Sequence, residues 1–409
     1  MRTIAIIGAG QAGLQLALGL QQHGYQVTLV SDRTADEFRN GPIMSTQCMF
    51  ADALEHERAL GLNLWDDECP PIAGMAINVA GPDGAPALAW RAELDQPAQS
   101  VDQRVKMAEW LRLFAQRGGQ LWHRHATIAD LEELAATHEL TVVASGKGLI
   151  RDLFPINPEH TPYAAPQRAL GLVAVRGYEP LAPGDAVALT LIPGAGEYIV
   201  IPGMTTSGPC HYLLFEGVPG GPLDCWDDAV SAAGMLARAR ELLERMAPWE
   251  AARCRRAQLT DAQAWLKGRY APAVRQPVGV LPSGRLVLGM ADAVVLNDPI
   301  TGQGSNNAAK CAATYLEAIL GRGDGIFDAA WMLVAFERYW AYASYVTAWT
   351  NGMLAPPPPH VLDILGAASQ SPLIARRFVN GFNHPPSLFP WLVDPSAAKA
   401  TIEEALLAA

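Results

Sequence analysis

Apolar and polar positions fall into strand-length and helix-length blocks along the first 150 residues. Residues 3–7 form an apolar run of strand length. Residues 14–20 have helical character, and 25–30 read as a second strand. A helix is expected from Ala51 through Glu55. Strands are expected at 72–79 and 87–91, around a turn at 81–84. A clear amphipathic helix opens at 100–106 and places Met107, Trp110, Leu111 and Phe114 on one face. Residues 120–125 read as a strand, 128–137 as a helix and 140–144 as a buried strand. This β–α alternation suits a parallel sheet with helices on its faces.

From about Pro155 the pattern changes. Strands at 169–175, 187–192, 198–201 and 212–216 are joined by Gly/Pro turns, with a hairpin loop at 193–197. A mostly antiparallel sheet is expected there. A long helix over 227–245 follows. The first pattern returns at Val278, with a strand at 285–289 and a loop at 298–304 leading into a helix through Ala308 and Leu316. The tail reads as helices over 327–354 and 361–382, separated by four prolines at 356–359. Its aromatics, such as Trp331, Phe336, Tyr339 and Trp349, fit helix packing.

Composition narrows the class. The chain has 409 residues, 50% hydrophobic and 17% charged, with a formal net charge of −11. That fits two or three packed units and a large core. No Lys/Arg block stands out, so neither nucleic acid nor a membrane surface is an expected partner. No signal peptide is read, and the six cysteines are scattered without a CxxC pair. Reduced thiols in a cytoplasmic protein are expected. His123 and His125 share a strand face but lack further ligand spacing, so no metal site is expected.

Chemistry is concentrated in two glycine-rich stretches. The strand at 3–7 runs into Gly8-Ala9-Gly10-Gln11-Ala12-Gly13, and the strand at 25–30 ends in Ser31-Asp32-Arg33. Gly8 permits a tight turn, Gly10 lets backbone approach a pyrophosphate, and Gly13 lets the helix pack on the strand. The helix N-terminus at Gln11 and Ala12 presents free amides and partial positive charge to phosphate. Asp32 stands where a carboxylate accepts ribose hydroxyls. This stretch alone leaves NAD and FAD open. The second stretch is a strand ending in Gly289-Met290-Ala291-Asp292, followed by Asp298-Pro299-Ile300-Thr301-Gly302-Gln303-Gly304-Ser305-Asn306. It resembles the other half of the FAD site in flavoprotein hydroxylases. That likeness assigns Asp292 to ribityl hydroxyls, residues 302–305 and Asn306 at the helix start to the flavin pyrimidine, and Pro299 to its reacting edge. Arg104, at the start of its helix, suits a phosphate or ribose contact.

In this order and over essentially the whole chain, the motifs resemble the styrene and indole monooxygenases. The residues carrying the resemblance also include Val101-Asp102-Gln103-Arg104, Ala144-Ser145-Gly146-Lys147, Pro166-Gln167-Arg168-Ala169-Leu170 and Gly194-Ala195-Gly196-Glu197. The resemblance implies an α/β fold with three parts. A Rossmann-like FAD-binding domain of the flavoprotein hydroxylase type spans 1–154 and 276–325. A mostly antiparallel substrate domain spans 155–275, with 72–98 contributing to its pocket. A helical C-terminal region spans 326–409. It also implies a two-component epoxidase. The Ser-Gly-Lys at 145–147 replaces the Asp-Gly motif of single-component hydroxylases, and there is no second GxGxxG. Reduced FAD is then supplied by a separate NADH-dependent flavin reductase, and a homodimer is allowed.

Within that family, styrene-type members carry Asn, Val and His where this chain has Ser45, Gln47 and Met49, the indole-type pattern. Styrene-type Tyr, His and Ser align with Ile72, Met75 and Ala98, although Met75 stands where Ile is expected. Buried indole must find an acceptor for its N–H, which Ser45 or Gln47 offers. The implied reaction is epoxidation of the indole C2–C3 bond by a flavin C4a-hydroperoxide, leading to indoxyl and indigo, with no side chain as obligatory catalyst. Rival readings are a styrene or aryl sulfide monooxygenase with indole as side substrate, and a non-catalytic FAD-binding protein. A flavin-dependent halogenase is disfavoured by the missing Trp-x-Trp-x-Ile-Pro signature.

Overall fold

The computed structural model describes residues 2–45, 47–146 and 148–407. Its first part contains β1 (Thr3–Ile7), α1 (Gln11–Gln22), β2 (Gln26–Ser31), α2 (Ala35–Asn40), α3 (Ala51–Ala59), β3 (Ile72–Ala80), β4 (Pro86–Ala98), α4 (Gln103–Gln116), β5 (Gln120–His123), α5 (Ile128–Thr137), β6 (Leu140–Val143) and α6 (Gly148–Arg151). The middle holds β7 (Ala169–Arg176), β8 (Ala186–Ile192), β9 (Gly196–Thr205), β10 (Gly208–Gly217), α7 (Ala232–Met246), α8 (Pro248–Cys254), β11 (Gln258–Leu259), β12 (Trp265–Gly268) and β13 (Ala273–Val274). The chain closes with β14 (Val278–Val280), β15 (Leu286–Gly289), β16 (Val295–Leu296), α9 (Gly304–Arg322), α10 (Ala329–Met353), α11 (Pro359–Ala368), α12 (Pro372–Asn380) and α13 (Pro395–Leu407).

One sheet has the order β14-β15-β6-β1-β2-β5. All of its pairs are parallel except β14 with β15. Its centre is α1, buried on every side from Gln11 to Leu20. Apart from Gln11 and Gln15, whose amides bond inside the protein, this stretch is apolar or glycine, as a helix inside a core requires. Leu14, Leu16, Leu18 and Leu20 are fully buried, each stabilising the fold by roughly 1.5–3 kcal/mol. Here α1 packs on α9, close enough that a Cβ at Gly19 would lie 2.7 Å from the Leu316 side chain.

The second sheet runs β11-β7-β10-β9-β8-β3-β4, with β12 also on β7. It is antiparallel except for β3 beside β8. One face carries Ile72, Met75, Ile199, Ile201 and Leu214 against α11 and α12. The other carries Val173, Val200 and Phe215 against α7. The alternating side chains of β3 would put Ile72 and Met75 on opposite faces. The ladder breaks register between Ile72 and Gly74, where β3 passes from Ile72 to Gly74 while β4 passes from Ala98 to Glu93, and beyond the break Met75 joins the same apolar cluster as Ile72.

Several expected boundaries shift. The strand expected at 87–91 extends to Ala98 and includes Pro97, which an edge strand tolerates. The helix expected at 227–245 begins at Ala232, where the Ser231 hydroxyl accepts from the Gly234 amide. The expected strand to His125 stops at His123. The tail helix expected over 361–382 breaks at Ser371–Pro372 into α11 and α12. Helix α2 was not expected. No helix among the described residues is long and apolar enough to cross a membrane. Among them, no three His, Cys, Asp or Glu side chains are grouped to hold a metal.

The break in register leads to a prediction. A Cβ at Gly74 would lie 2.5 Å from the Ala92 carbonyl oxygen across the β3–β4 ladder. Gly74→Ala should therefore destabilise the fold by roughly 1–3 kcal/mol. A thermal melt checks this, and an unchanged midpoint would mean that the two strands separate freely.

Candidate active site

Strands β1, β6 and β15 are adjacent and parallel, so their carboxyl ends open onto one crevice. Gly8 leaves β1 at φ 113°, a conformation that favours glycine. A Cβ at Gly13 would lie 1.9 Å from the Gly8 carbonyl oxygen, so α1 touches the turn directly. Gly10 differs. It is exposed, and a Cβ there would meet nothing within 4 Å. The chain itself demands Gly8 and Gly13, whereas Gly10 leaves open space in front of α1. No side chain caps that helix, so its first amides are available to an anion.

Gln11 and Ala12 are both buried, and Gln11 turns inward. Its Nε2 donates to Gln15 Oε1 at 3.0 Å and to Glu57 Oε1 at 2.8 Å. Lys106 Nζ donates to both Glu57 oxygens at 2.7 and 3.0 Å and sits 3.2 Å from Met49 Sδ. The Gln11 side chain is therefore turned away from the crevice, leaving its backbone as what it can offer there. Arg104 is 2% exposed. Its guanidinium grips Asp261 through two hydrogen bonds of 3.0 Å and Asp102 through one of 2.8 Å. Arg104, expected to contact phosphate or ribose, is held in this structure in an internal ion pair with two carboxylates. Asp32 lies exposed just beyond β2. Arg33 rests its Nη1 2.8 Å from Met44 Sδ.

At the end of β15 the Met290 amide donates to the Val143 carbonyl at 2.9 Å. Ala291 follows at φ 48°, the only non-glycine residue with positive φ among those described. Strained backbone of this kind clusters at functional sites. A Cβ at Gly146 would lie 2.8 Å from the Asp292 carbonyl oxygen, so the loop after β6 backs Asp292 closely. The Asp292 side chain is open to solvent, yet so hemmed in by protein that desolvation pushes its carboxyl up to about 6. Both observations hold for a carboxyl at the floor of a recess.

The turn at 298–302 has Asp298 accepting from the Ile300 amide at 3.1 Å, Pro299 at its first position, and Gly302 at φ 64°. Exposed Gly304 and half-buried Ser305 then start α9. Asn306 is a strap. Its Nδ2 donates to the carbonyls of Cys48 at 2.8 Å and Gly302 at 3.0 Å, and its Oδ1 accepts from the Phe50 amide at 2.9 Å. Its neighbour Asn307 is 2% exposed with neither amide atom partnered among the described residues. Sequence reasoning named Asn306 and missed Asn307. The doubled asparagine after Gly304-Ser305 was the available signal.

The strap holds the segment 47–50 against this turn. Met49 and Gln99 exchange backbone hydrogen bonds of 2.8 and 2.9 Å, which sets the segment beside Ala98. Ala98 pairs in register with Ile72, and both join Met75 in one apolar cluster. Met49 turns the other way, onto Ala53, Leu54, Ala309 and Lys106. Ser45 Oγ accepts from Gln103 Nε2 at 3.0 Å. Gln47 is 1% exposed, and neither its Nε2 nor its Oε1 has a partner among the described residues. Thr46 and Lys147, which belong to the sequence motifs, lie outside the described residues.

The crevice fits FAD. It offers an open glycine before an uncapped helix and a recessed carboxyl at Asp292. Two outcomes test this. Gly10→Ala should leave the melting of the apo-protein unchanged while weakening FAD at least about tenfold, whereas Gly13→Ala should lower both stability and FAD binding. Equal effects of the two changes on melting would contradict the distinction. The second outcome concerns pH. Because the folded-state value of Asp292 is raised, the folded protein binds more protons than the unfolded chain between about pH 4 and about pH 6. Its contribution therefore becomes less favourable as pH rises through that window. Asp292→Asn removes the effect, so the variant's apo-stability relative to wild type should grow from pH 4 to 7. A pH-independent difference would place Asp292 outside a recess.

Comparisons with known proteins agree with the geometry. The family model for the substrate-binding domain of styrene monooxygenase A matches residues 146–253, and that for pyridine nucleotide-disulphide oxidoreductases matches 2–112. Styrene monooxygenases StyA from Pseudomonas fluorescens and from a Pseudomonas species are each 31% identical over 395 residues, 94% of this chain and 93% of theirs. Among solved structures, a flavin-dependent brominase has a TM-score of 0.63 at 16% identity, covering 98% of each chain. A flavoprotein/dehydrogenase from Cytophaga hutchinsonii has a TM-score of 0.66 at 11% identity, covering 99% of each. These two likenesses show the fold. With the crevice, the domain matches and the near full-length relatives, the chain belongs to the styrene and indole monooxygenase family and is an FAD-dependent monooxygenase of the flavoprotein hydroxylase fold.

Proposed function

We propose that this chain is the epoxidase component of a two-component monooxygenase, that it receives FAD already reduced by a separate flavin reductase, and that its substrate is indole. The observation carrying the substrate reading is Gln47. Its amide is buried without a partner, in the segment that runs beside Ala98 and Ile72. A buried polar group left unmatched costs about 1–3 kcal/mol. Indole brings one N–H donor and an otherwise apolar ring, which match the Gln47 carbonyl and the cluster of Ile72, Met75 and Ala98. Styrene brings no polar atom.

Reduced FAD, when bound, supplies the chemistry that turns dioxygen into an electrophilic oxygen donor. The chain's own residues hold, orient and dry. The α1 amides behind Gly10 take the pyrophosphate, Asp32 the adenosine ribose and Asp292 the ribityl chain. Asn307 and the backbone from Gly302 to Ser305 take the polar edge of the flavin ring, and Pro299 lines its reacting edge. Gln47 accepts the indole N–H and turns the C2–C3 bond toward that edge. The apolar cluster excludes water, which protects the oxidising equivalent from unproductive decay. No side chain is required as nucleophile. The separate reductase follows from Ser145-Gly146-Lys147 standing in place of Asp-Gly and from the single glycine fingerprint. The six free cysteines agree with a cytoplasmic setting.

The second reading is styrene epoxidation, favoured by the names of the two Pseudomonas relatives. Product analysis with indole and styrene side by side, using chemically reduced FAD and air, separates the two. Indole should be preferred by wild type, with indigo formed. Gln47→Val should move the indole-to-styrene ratio toward styrene by roughly tenfold, the equivalent of about 1.4 kcal/mol. An unchanged ratio would sink the pocket assignment, and styrene preference in wild type would favour the second reading.

A further inference from the structure

Behind the turn at 298–302, the second sheet ends in a buried group of charges that the proposed reaction leaves unused. Glu197 on β9 and Glu216 on β10 stand directly opposite each other in the ladder, so both side chains leave the same face. It is the face of Ile199, Ile201 and Leu214. Arg168, just before β7, donates Nε and Nη2 to the Glu197 carboxylate at 2.7 and 2.9 Å. Its Nη1 donates to the carbonyls of Gln167 at 2.9 Å and Leu354 at 3.3 Å. Asp298 is a third buried carboxyl, on the turn whose Thr301 hydroxyl lies 2.7 Å from that of Thr350, one helical turn before the Leu354 carbonyl that Arg168 reaches.

Glu216 is 0% exposed, and neither carboxyl oxygen has a hydrogen-bond partner among the described residues. Three carboxyls therefore meet one guanidinium. Arg168 pairs with Glu197. Burial raises the Asp298 carboxyl to about 6, and the Ile300 amide and Arg168 keep it from rising further, while a charge on Glu216 would face Asp298 and Glu197 with no donor of its own among the described residues. Two like charges in one dry site cannot both ionise easily, so one carboxyl keeps its proton. Burial, then Asp298, then Glu197 hold the Glu216 carboxyl far above the usual carboxylate range, in agreement with the geometry.

We propose that Glu216 is kept as a neutral acid beneath the turn at 298–302, and that its neutrality lets Asp298 remain ionised as the cap of that turn. Glu216 is then a positioning residue. It acts through Asp298 on the loop carrying Pro299 and Gly302, and this role rests on the FAD reading of that loop. An ionised cap holds the Ile300 amide more firmly than a neutral one.

Infrared difference spectroscopy of the apo-protein at pH 8, where Asp292 is ionised, reads the proton without any cofactor. Wild type should show the carbonyl stretch of a protonated carboxyl. Glu216→Gln should abolish it, and Asp298→Asn should retain it. No such band in wild type, or a band that survives Glu216→Gln, would overturn the proposal. A wild-type measurement suffices for the first outcome even if the variant fails to fold. Oxidised FAD titrations supply the positioning arm. Glu216→Gln, which mimics the neutral acid, should bind within about twofold of wild type, whereas Asp298→Asn should bind roughly tenfold more weakly. Equal affinity in Asp298→Asn and wild type would overturn the action through Asp298. Failure of wild type itself to bind FAD would instead remove the FAD reading and leave the infrared result standing.

Discussion

The structure depends on one constraint, the side-by-side parallel pairing of β1, β6 and β15. That pairing brings Gly8, the loop at 144–146 and Asp292 to one edge of a sheet, although they come from three distant parts of the chain. Backbone contact then fixes the details. The approach of Gly13 to the Gly8 carbonyl sets the position of α1, and the approach of Gly146 to Asp292 sets the depth of the recess. In the proposed reading, the cofactor site is above all a property of these backbones. An uncapped helix N-terminus is an incomplete structure in its own right, and phosphate completes it.

A second layer of polar side chains ties that edge to the substrate segment. Gln11, Glu57 and Lys106 join α1, α3 and α4, and Gln15 donates to the Ala309 carbonyl of α9 at 3.0 Å. Asn306 joins the turn before α9 to Cys48 and Phe50. A buried ion pair such as Lys106–Glu57 is weak evidence for net stability, but breaking it by removing one partner costs about 3–5 kcal/mol. Its consequence here is geometric. The backbone that presents Gln47 cannot move far without disturbing the turn that presents Pro299. In the proposed reading, placement of substrate and placement of cofactor are therefore mechanically one problem.

What the sequence disclosed was local. The glycine fingerprint, the strand before it and the turn at 298–304 were legible because each depends on neighbours a few residues away. Helix α2 was legible too, through its capping box of Thr34 and Glu37, a signal that went unused. Sheet membership was not legible. Strands β3 and β4 lie early in the chain but extend the second sheet through a parallel pairing with β8, a non-local choice without a local mark. Side-chain direction was equally hidden. Arg104 looked like a ligand contact, but Asp261, which claims its guanidinium, lies 157 residues away. Met49 and Gln47 are two residues apart, yet Met49 turns to Lys106 while Gln47 keeps a free amide. The break in register between Ile72 and Gly74, beyond which Met75 joins the cluster of Ile72, is likewise something no alternation count foresees.

The central claim is that the unpartnered Gln47 amide reads the substrate next to a flavin held by Gly10, Asp292 and Asn307. A crystal structure of the chain with oxidised FAD and indole tests it most directly. The account predicts the indole nitrogen within hydrogen-bond distance of Gln47 Oε1 and the Asn307 amide engaged by the flavin. A complex in which indole binds elsewhere, with Gln47 still unpartnered, would contradict it.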